Sequence, residues 1–552
     1  MWMISGSWIR LPLPWNKYSE EHLRNRKAGW VQPVFCCRKS SVRGEENAAV
    51  PRCGTDMFLH NSSLEKNAFY GTIKRKAKES PGGKGMRIDL PKEVRTIIGI
   101  LQTAGFEAYA VGGCVRDTLL GRTPEDWDIT TSAAPQQIKE LFHATVDTGI
   151  RHGTVTVLLN HTGYEVTTYR LDGKYEDHRH PKEVVFTGDL SEDLKRRDFT
   201  INAMAYNEEQ GLVDLFGGRE DLEKGIIRCV GDPVERFSED ALRIMRAARF
   251  SAQLGFSVSE DTLEAMKRLS PDLKRVSAER VRTELTKLLL SDHPEKLLTC
   301  YECGITAVVF PEFDRMMGQS QNNPHHCYNV GVHTVKCLEY LHTDPDYIRA
   351  DKKLRTVLNY TMLLHDVAKP LCVSTDKNGQ EHFYGHQELG AELAADIMKR
   401  LKFDNETIHA VKKLVKYHDA RFQIRQDSRK ALRKLVSLVG VDMMPYLFPV
   451  GRSDNAGQSE TYSSQSLENL QRIESMYREI LERKECVCLR DLAVTGRDLM
   501  EIGYTSGPSL GQALKALLHE VIQDPERNTR EQLLALSAEY LKQGWIPEYR
   551  EE

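Results

Sequence analysis

The stretch AYAVGGCVRDTLLGRTPEDWDITT, residues 108–131, decides how this chain is read. Ala108 to Val111 is a short apolar run and predicts a buried strand. Gly112 and Gly113 follow, and a glycine pair lets the backbone turn sharply and come close to a ligand. A short helix is predicted over Val115–Leu120, with its free N–H groups and dipole facing any anion above the glycines. After Gly121 and Pro124 comes Asp126-Trp127-Asp128. In a strand, alternate side chains share a face, so Asp126 and Asp128 are expected to point together, with Trp127 turned into the core. Paired carboxylates beside a phosphate cradle suit a hard dication such as Mg2+, which prefers oxygen ligands. Two such ions about 4 Å apart activate an attacking hydroxyl and steady a departing pyrophosphate.

A lone Asp-x-Asp is common and often marks only a polar strand end. Joined at this spacing to Gly-Gly-x-Val-Arg-Asp, it resembles the signature of the polymerase-beta-like nucleotidyltransferases. The branch is that of the class II tRNA nucleotidyltransferases (CCA-adding enzymes) and bacterial poly(A) polymerases. The resemblance implies an α+β protein: a nucleotidyltransferase head of mixed sheet and helices, then an all-α neck, body and tail. The implied reaction transfers CMP, CMP and AMP from CTP and ATP to the 3′ end of tRNA and releases pyrophosphate. Asp126 and Asp128 would bind Mg2+, and Gly113, Arg116 and Arg197 would hold the triphosphate. The polymerase-beta arrangement takes a third carboxylate from a neighbouring strand. Glu165, on a strand expected over Tyr164–Tyr169, is the candidate, although a solvent-facing Glu on a half-exposed strand would look the same.

At 552 residues the chain has room for three or four domains. With 40% hydrophobic and 28% charged residues its composition is that of a soluble globular protein, and no apolar run approaches the ~20 residues of a membrane span. A net charge of -3 neither suggests nor excludes nucleic acid, because a basic groove can sit on a near-neutral protein. The twelve cysteines form no paired framework, and Cys300 and Cys303 have no second pair at zinc-ribbon spacing. Reduced thiols and a cytoplasmic location are expected. Residues 1–85 stand apart, with 15 Lys/Arg against 7 Asp/Glu and a Gly-rich linker at 81–85. Their arginines suit a mitochondrial presequence, but Glu20, Glu21, Glu45 and Glu46 do not. A basic, disordered extension is expected, with the folded protein starting near Met86.

The head is expected over 86–228. A helix is predicted for Pro91–Ala104, where Val94, Ile97, Ile98 and Leu101 form one stripe, and another near Pro135–Phe142, followed by a strand over Thr154–Leu159. Residues 172–183 are polar and read as a mobile loop. The matching loop of CCA-adding enzymes moves at the switch from C to A addition, so its presence implies terminal A addition. Lys195–Met204 resembles the family's Arg-Arg-Asp-Phe-Thr-x-Asn-Ala-Met element, with Arg197 as its triphosphate ligand; the planar guanidinium fork suits phosphate. Asp214–Leu222 is similar to the hinge between head and neck, where Gly217 and Gly218 would permit a bend.

The neck is expected over 229–300. Phe237–Phe250 is predicted as one helix with Ser238 as its N-cap. At 100° per residue, Asp240, Arg243 and Arg246 cover about a third of the circumference, and Arg249 is turned half a circle from Asp240. The string resembles the family's Glu-Asp-x-x-Arg template, in which Asp and Arg hydrogen-bond the edge of the incoming base. Asp offers only acceptors and Arg only donors. Cytosine and adenine each show an amino donor beside a ring-nitrogen acceptor, so Asp240 and Arg243 would choose them without a nucleic-acid template, assisted by Arg246 and Arg249. Glu279, Arg280 and Glu284, on a helix expected over Ala278–Leu290, resemble the motif that braces the neck.

Residues 301–460 carry His333, His365, Asp366, His386, His418 and Asp454 in helical surroundings. Single histidines are ordinary, but His365-Asp366 sets two polar groups inside an apolar helix. The ordered set resembles the HD phosphohydrolase superfamily. It implies a metal held by His333, His365, Asp366 and Asp454, with His386 and His418 extending it to a second ion. Imidazole suits Ni, Mn, Zn or Fe. The tail, 461–552, is expected to be helical. Its Gly507-Pro508-Ser-Leu-Gly511 turn would either present N–H groups to phosphates or serve as a plain turn between packed helices. By resemblance, body and tail hold the tRNA elbow. Within the same class, a poly(A) polymerase or an enzyme adding only part of CCA remains open. From other classes, the alternatives are an HD phosphohydrolase with an inactive head and a non-catalytic RNA-binding protein.

Overall fold

The computed structural model describes residues 87–172, 184–322, 327–420, 428–458 and 460–544. The expected basic extension and all but the first residue of the polar loop lie outside the described residues. The head is a seven-stranded sheet in the order β3-β4-β5-β2-β1-β8-β9. Its strands are β1 Ala108–Val111, β2 Ile129–Thr131, β3 Thr145–Gly149, β4 Thr154–Leu159, β5 Thr162–Thr168, β8 Met204–Asn207 and β9 Gly211–Asp214. Between β5 and β8, β6 Arg170–Asp172 and β7 Val184–Phe186 form a separate ribbon. The first helix spans Lys92–Thr103, and its expected stripe of Val94, Ile97, Ile98 and Leu101 is buried. Each such side chain withdrawn from water contributes about 1.5–3 kcal/mol.

Register brings the chemistry to one edge of this sheet. β1 runs antiparallel to β2, with Ala110 opposite Ile129, and antiparallel to β8, with Val111 opposite Ala205. β2 runs parallel to β5, with Ile129 opposite Val166. The end of β1, the start of β2, the residue before Val166 and the start of β8 therefore share one edge. Gly112, Asp128, Glu165 and Asn202 meet there. One expectation is corrected here. Asp126 and Asp128 are not strand residues, because β2 begins at Ile129. The Asp128 carbonyl still accepts Val111 N–H at 3.0 Å, so the segment enters the sheet already paired. Trp127 is half-buried against the core. β3, β8 and β9 were not anticipated, since their residues read as loop or as parts of motifs.

The neck departs from the expected single helix. Helices Pro233–Glu239 and Leu242–Leu254 are separated by Asp240, which is extended at φ -142 and ψ 103. Asp232, not Ser238, caps the first helix by accepting Val234 N–H. Ser238 lies within that helix and donates to Val234 O. Asp240 accepts Leu242 N–H at 3.0 Å and so opens the second helix. One apolar core runs from Ile88 to Val487, through head, neck and body, and takes in Leu470, Ile473, Tyr477 and Ile480 at the start of the expected tail. The rest of the tail has its own core, from Cys486 to Tyr540. Arg433 joins the two, donating to Ile522 O at 3.0 Å and to Glu485 at 2.9 Å. No described helix is long and apolar enough to cross a membrane.

Candidate active site

Gly112 turns the chain at φ 85, a left-handed value that favours glycine. A Cβ there would stand 3.1 Å from Arg197 Nη1, so the guanidinium lies directly over the turn. Helix Gly113–Leu119 begins at that point, two residues ahead of the expected start. Arg197 is anchored through Nη2 on Asp193 at 3.3 Å, while its Nε is buried without a hydrogen-bond partner among the described residues. A cation held at one end, with an unpaired donor beside a glycine turn, is arranged to receive an anion. Arg116 lies on the same side. Asp117 accepts from its Nε and Nη2 at 2.9 and 2.8 Å, and Nη1 donates to Asn202 at 2.7 Å.

Behind these arginines stands Asp193, which the sequence reading missed. It is fully buried, accepts from both Arg196 and Arg197, and also receives Thr130 Oγ1 at 3.2 Å. Burial opposes its charge, but the two guanidinium groups hold its carboxyl below the ordinary range. Its spacing of three and four residues ahead of Arg196 and Arg197 on a helical segment was the available signal.

The carboxylates face this cradle. Asp128 keeps an exposed edge, yet its carboxyl is held above the ordinary range. Desolvation by the surrounding protein is the first cause, and the like charges of Glu165 and Asp126 add to it against the pull of Arg197. A carboxylate made costly to ionise by two neighbouring acids belongs to a site that a dication would relieve. They converge less tightly than the body's ligands, since the sets of donor atoms within 4.8 Å among the described residues both lie in the body.

The neck is tied to the head through the second motif. Arg246 donates to Asp198 from Nε and Nη2 at 2.8 and 2.5 Å, and Asn202 donates to the other oxygen at 3.1 Å. Burial opposes ionisation of Asp198, but Arg246 pulls its pKa down to about 2. Arg243 donates to Glu239 at 2.5 Å, to Arg236 O and across to Arg196 O at 3.2 Å. Asp240 is gripped by both terminal nitrogens of Arg280, at 2.7 and 3.3 Å. Asp240 and Arg243 thus share the helix start beside the cradle, though not by the helical spacing expected.

Arg249 has a structural partner that its sequence position did not announce. It is buried in an ion pair with Glu284 at 2.6 Å and lies 3.8 Å over the Phe250 ring, so it braces the neck. Phe250 also carries Arg116 at 5.1 Å and Arg246 at 5.4 Å on its ring, a cation–π role the sequence did not disclose.

The six body residues converge, although His365 caps the end of helix Lys352–Leu364 instead of lying inside a helix. His365, His386 and His418 each direct Nδ1 at the carbonyl three residues back, at 2.7 Å, and His333 directs its Nδ1 at Gly457 O at 3.0 Å. That fixes the tautomer and turns Nε2 inward, the pattern of metal-ligating histidines. His333 Nε2 lies 3.0 Å from Asp454, and His365 Nε2 lies 3.2 Å from Asp366. His365 Nε2 and His386 Nε2 are buried and, among the described residues, are faced by carboxylate oxygens and not by a closer hydrogen-bond partner, an arrangement that a cation would satisfy. Lys369, three residues past Asp366 and also missed, places Nζ 2.8 Å from it. Burial favours the neutral acid, but His365 and Lys369 hold Asp366 well below the ordinary range. Cys337, one turn beyond His333, packs 3.4 Å from its Nε2.

Three family models match the chain: the poly A polymerase head domain over residues 108–228, the RNA and SrmB-binding site of polymerase A over 255–317, and tRNA nucleotidyltransferase domain 2 over 384–536. A CCA-adding enzyme of Leuconostoc mesenteroides is 37% identical over 456 residues, 82% of this chain and 98% of its own. That of Limosilactobacillus fermentum is 35% identical over 461 residues, 83% of this chain and 100% of its own. Among solved structures, the Bacillus stearothermophilus CCA-adding enzyme in complex with CTP is 29% identical, with a TM-score of 0.59 over 83% of this chain and 99% of that one. The Thermotoga maritima CCA-adding enzyme complexed with tRNA has the same fold at 21% identity and a TM-score of 0.53, over 82% of this chain and 97% of that one.

Proposed function

The chain belongs to the CCA-adding enzymes, and from that premise we propose that it adds CMP, CMP and AMP in turn to the 3′ end of tRNA, consuming CTP and ATP. The observation that carries the reading is the meeting, at one sheet edge, of the Gly112 turn, Arg116 and Arg197 with Asp126, Asp128 and Glu165. In each transfer the 3′-hydroxyl oxygen of the RNA bonds to the α-phosphorus, the α–β phosphoanhydride bond breaks, and pyrophosphate leaves. Mg2+ on Asp126 and Asp128, with Glu165 beside them, would lower the pKa of the hydroxyl and neutralise charge on the phosphates. Arg197 and Arg116 hold the triphosphate over the helix start at Gly113. Asp240 and Arg243 read the base edge. Arg280 and Leu242 N–H occupy only part of the Asp240 acceptor capacity, since each carboxylate oxygen has two lone pairs. Arg246 sets the position of this pair relative to the cradle.

We assign the head to residues 86–228, the neck to 229–300, the metal-binding body to 301–460 and the tail to 461–552. Body and tail hold the tRNA, in keeping with the tRNA-bound relative of the same fold. The nine described cysteines are all free, which supports a reducing, cytoplasmic setting. The test is product sequencing on tRNA lacking CCA, with CTP and ATP supplied singly and together. Full CCA appears only with both nucleotides; A runs from ATP alone would replace this reading with a poly(A) polymerase.

The converging imidazoles of the body favour a second activity. His333, His365, Asp366 and Asp454 would hold a transition metal, which supplies Lewis-acid activation of water and a phosphoester. The substrate we assign is a 2′,3′-cyclic phosphate at a damaged RNA end. Water adds to phosphorus, one P–O bond of the ring breaks, and the released ribose oxygen takes a proton. Metal content by elemental analysis, with cyclic-phosphate turnover across Mn, Ni, Zn and Fe, tests it. A metal-free, inactive protein under all four would remove the assignment.

A further inference from the structure

We propose that Asp419 serves as a protein ligand of the second cation of the body centre, on the side of His386 and His418. This rests on the metal-centre reading above and extends it to a residue outside the HD ligand set. The two oxygens of Asp366 face different ways. Oδ2 lies 3.2 Å from His365 Nε2 and 3.7 Å from His333 Nε2, whereas Oδ1 lies 3.6 Å from His386 Nε2 and 3.8 Å from His418 Nε2. A carboxylate that turns one oxygen to each pair of imidazoles is placed to bridge two ions.

Asp419 stands on the second side. Its Oδ2 lies 3.3 Å from His386 Nε2 and 3.5 Å from His418 Nε2. Which nitrogen it approaches decides its role. A carboxylate that merely orients a ligating histidine contacts the outer nitrogen. Here both outer nitrogens already point at backbone carbonyls, Phe383 O and Val415 O. Asp419 instead sits with Asp366 Oδ1 among the inward nitrogens, where a ligand belongs. His386 is nine-tenths buried, and its Nε2 faces carboxylate oxygens of both Asp419 and Asp366, at 3.3 and 3.6 Å. Gln387, on the next residue, donates to Asp419 Oδ2 at 3.3 Å and steadies it.

Charge then narrows the substrate. Asp366, Asp454 and Asp419 bring three negative charges against four from two dications. Lys369 adds one more positive charge, 2.8 Å from Asp366. The filled centre is net positive and fits a phosphate ester, not a neutral substrate.

The full chain is loaded with Mn2+, desalted and assayed for metal per chain and for its electron paramagnetic resonance. Wild type is expected to retain two manganese ions per chain with the signal of a coupled pair. Asp419→Ala and the near-isosteric Asp419→Asn should each retain one, with an uncoupled six-line signal, and Asp419→Glu should restore part of the second. Thermal melts of the metal-free variants establish that they fold. One ion in wild type, or two ions held equally well by both Asp419→Ala and Asp419→Asn, overturns the proposal and leaves the single-metal reading standing. No bound metal in wild type overturns both.

Discussion

At the scale of single residues, the head assigns separate tasks to its charges. Asp126 and Asp128, which the proposed reading places on Mg2+, are exposed and make no ion pair among the described residues, so their replacement should spare the fold. Asp126→Ala or Asp128→Ala should lower nucleotide addition by about 1000-fold or more while tRNA affinity stays within about twofold. Near-normal C incorporation by either variant would end the metal assignment. Asp240 and Arg280 form a different kind of pair: Arg280 holds both oxygens of the carboxylate that, in the proposed reading, meets the base edge. Arg280→Ala should therefore raise UTP and GTP misincorporation with little change in triphosphate affinity, as Asp240→Ala should. Unchanged rejection of UTP in single-nucleotide assays would show that Arg280 only braces the neck. The sequence disclosed the motif residues themselves. It did not disclose Asp193 or Phe250, which are ordinary residue types made important by what packs against them.

At the scale of elements, the junction between head and neck is built on Asp198. Its pKa of about 2 compares with an ordinary 3.8. The folded value is the lower one, so the stabilisation is present above the ordinary value and is lost as pH falls through about 2. The difference corresponds to about 2 kcal/mol. Asp198→Asn should cost about that much at pH 7, and its denaturation midpoint should approach that of wild type near pH 2; parallel curves would mean the Arg246 pair is not the cause. Gly218 is a second constraint on the same junction, since a Cβ would stand 2.2 Å from Thr200 O, a backbone atom that cannot rotate away. Gly218→Ala should lower stability by about 1–3 kcal/mol in chemical denaturation. Helical periodicity foresaw Lys92–Thr103 and Ala278–Leu289, whose stripes are regular. It merged the two neck helices because Asp240 breaks them with a side-chain cap, and no glycine or proline marks the break.

At the scale of the whole molecule, the two candidate centres draw on different segments, the head's carboxylates between residues 126 and 165 and the body's ligands between 333 and 454. Their activities should separate. The double variant His365→Ala with Asp366→Ala should lose metal binding and cyclic-phosphate turnover yet add CCA at close to the wild-type rate, measured on the same preparation. Loss of both activities would mean that the shared core transmits damage between them. Short-range pattern alone determined the family, the cradle, the paired carboxylates and the order of the body's histidines, because each depends on residues close in sequence with fixed offsets. Tertiary structure decided the rest. Parallel pairing of β2 with β5 places Glu165 beside Asp128 across 37 positions of chain. The fold of the neck sends Arg249 to Glu284 and leaves Arg246 for Asp198. Packing of helices His386–Arg400 and Asn405–Tyr417 brings Asp419 to the inward side of two histidines. Contacts of this kind join residues far apart in the chain, and only the burial of a shared core settles which distant partners meet.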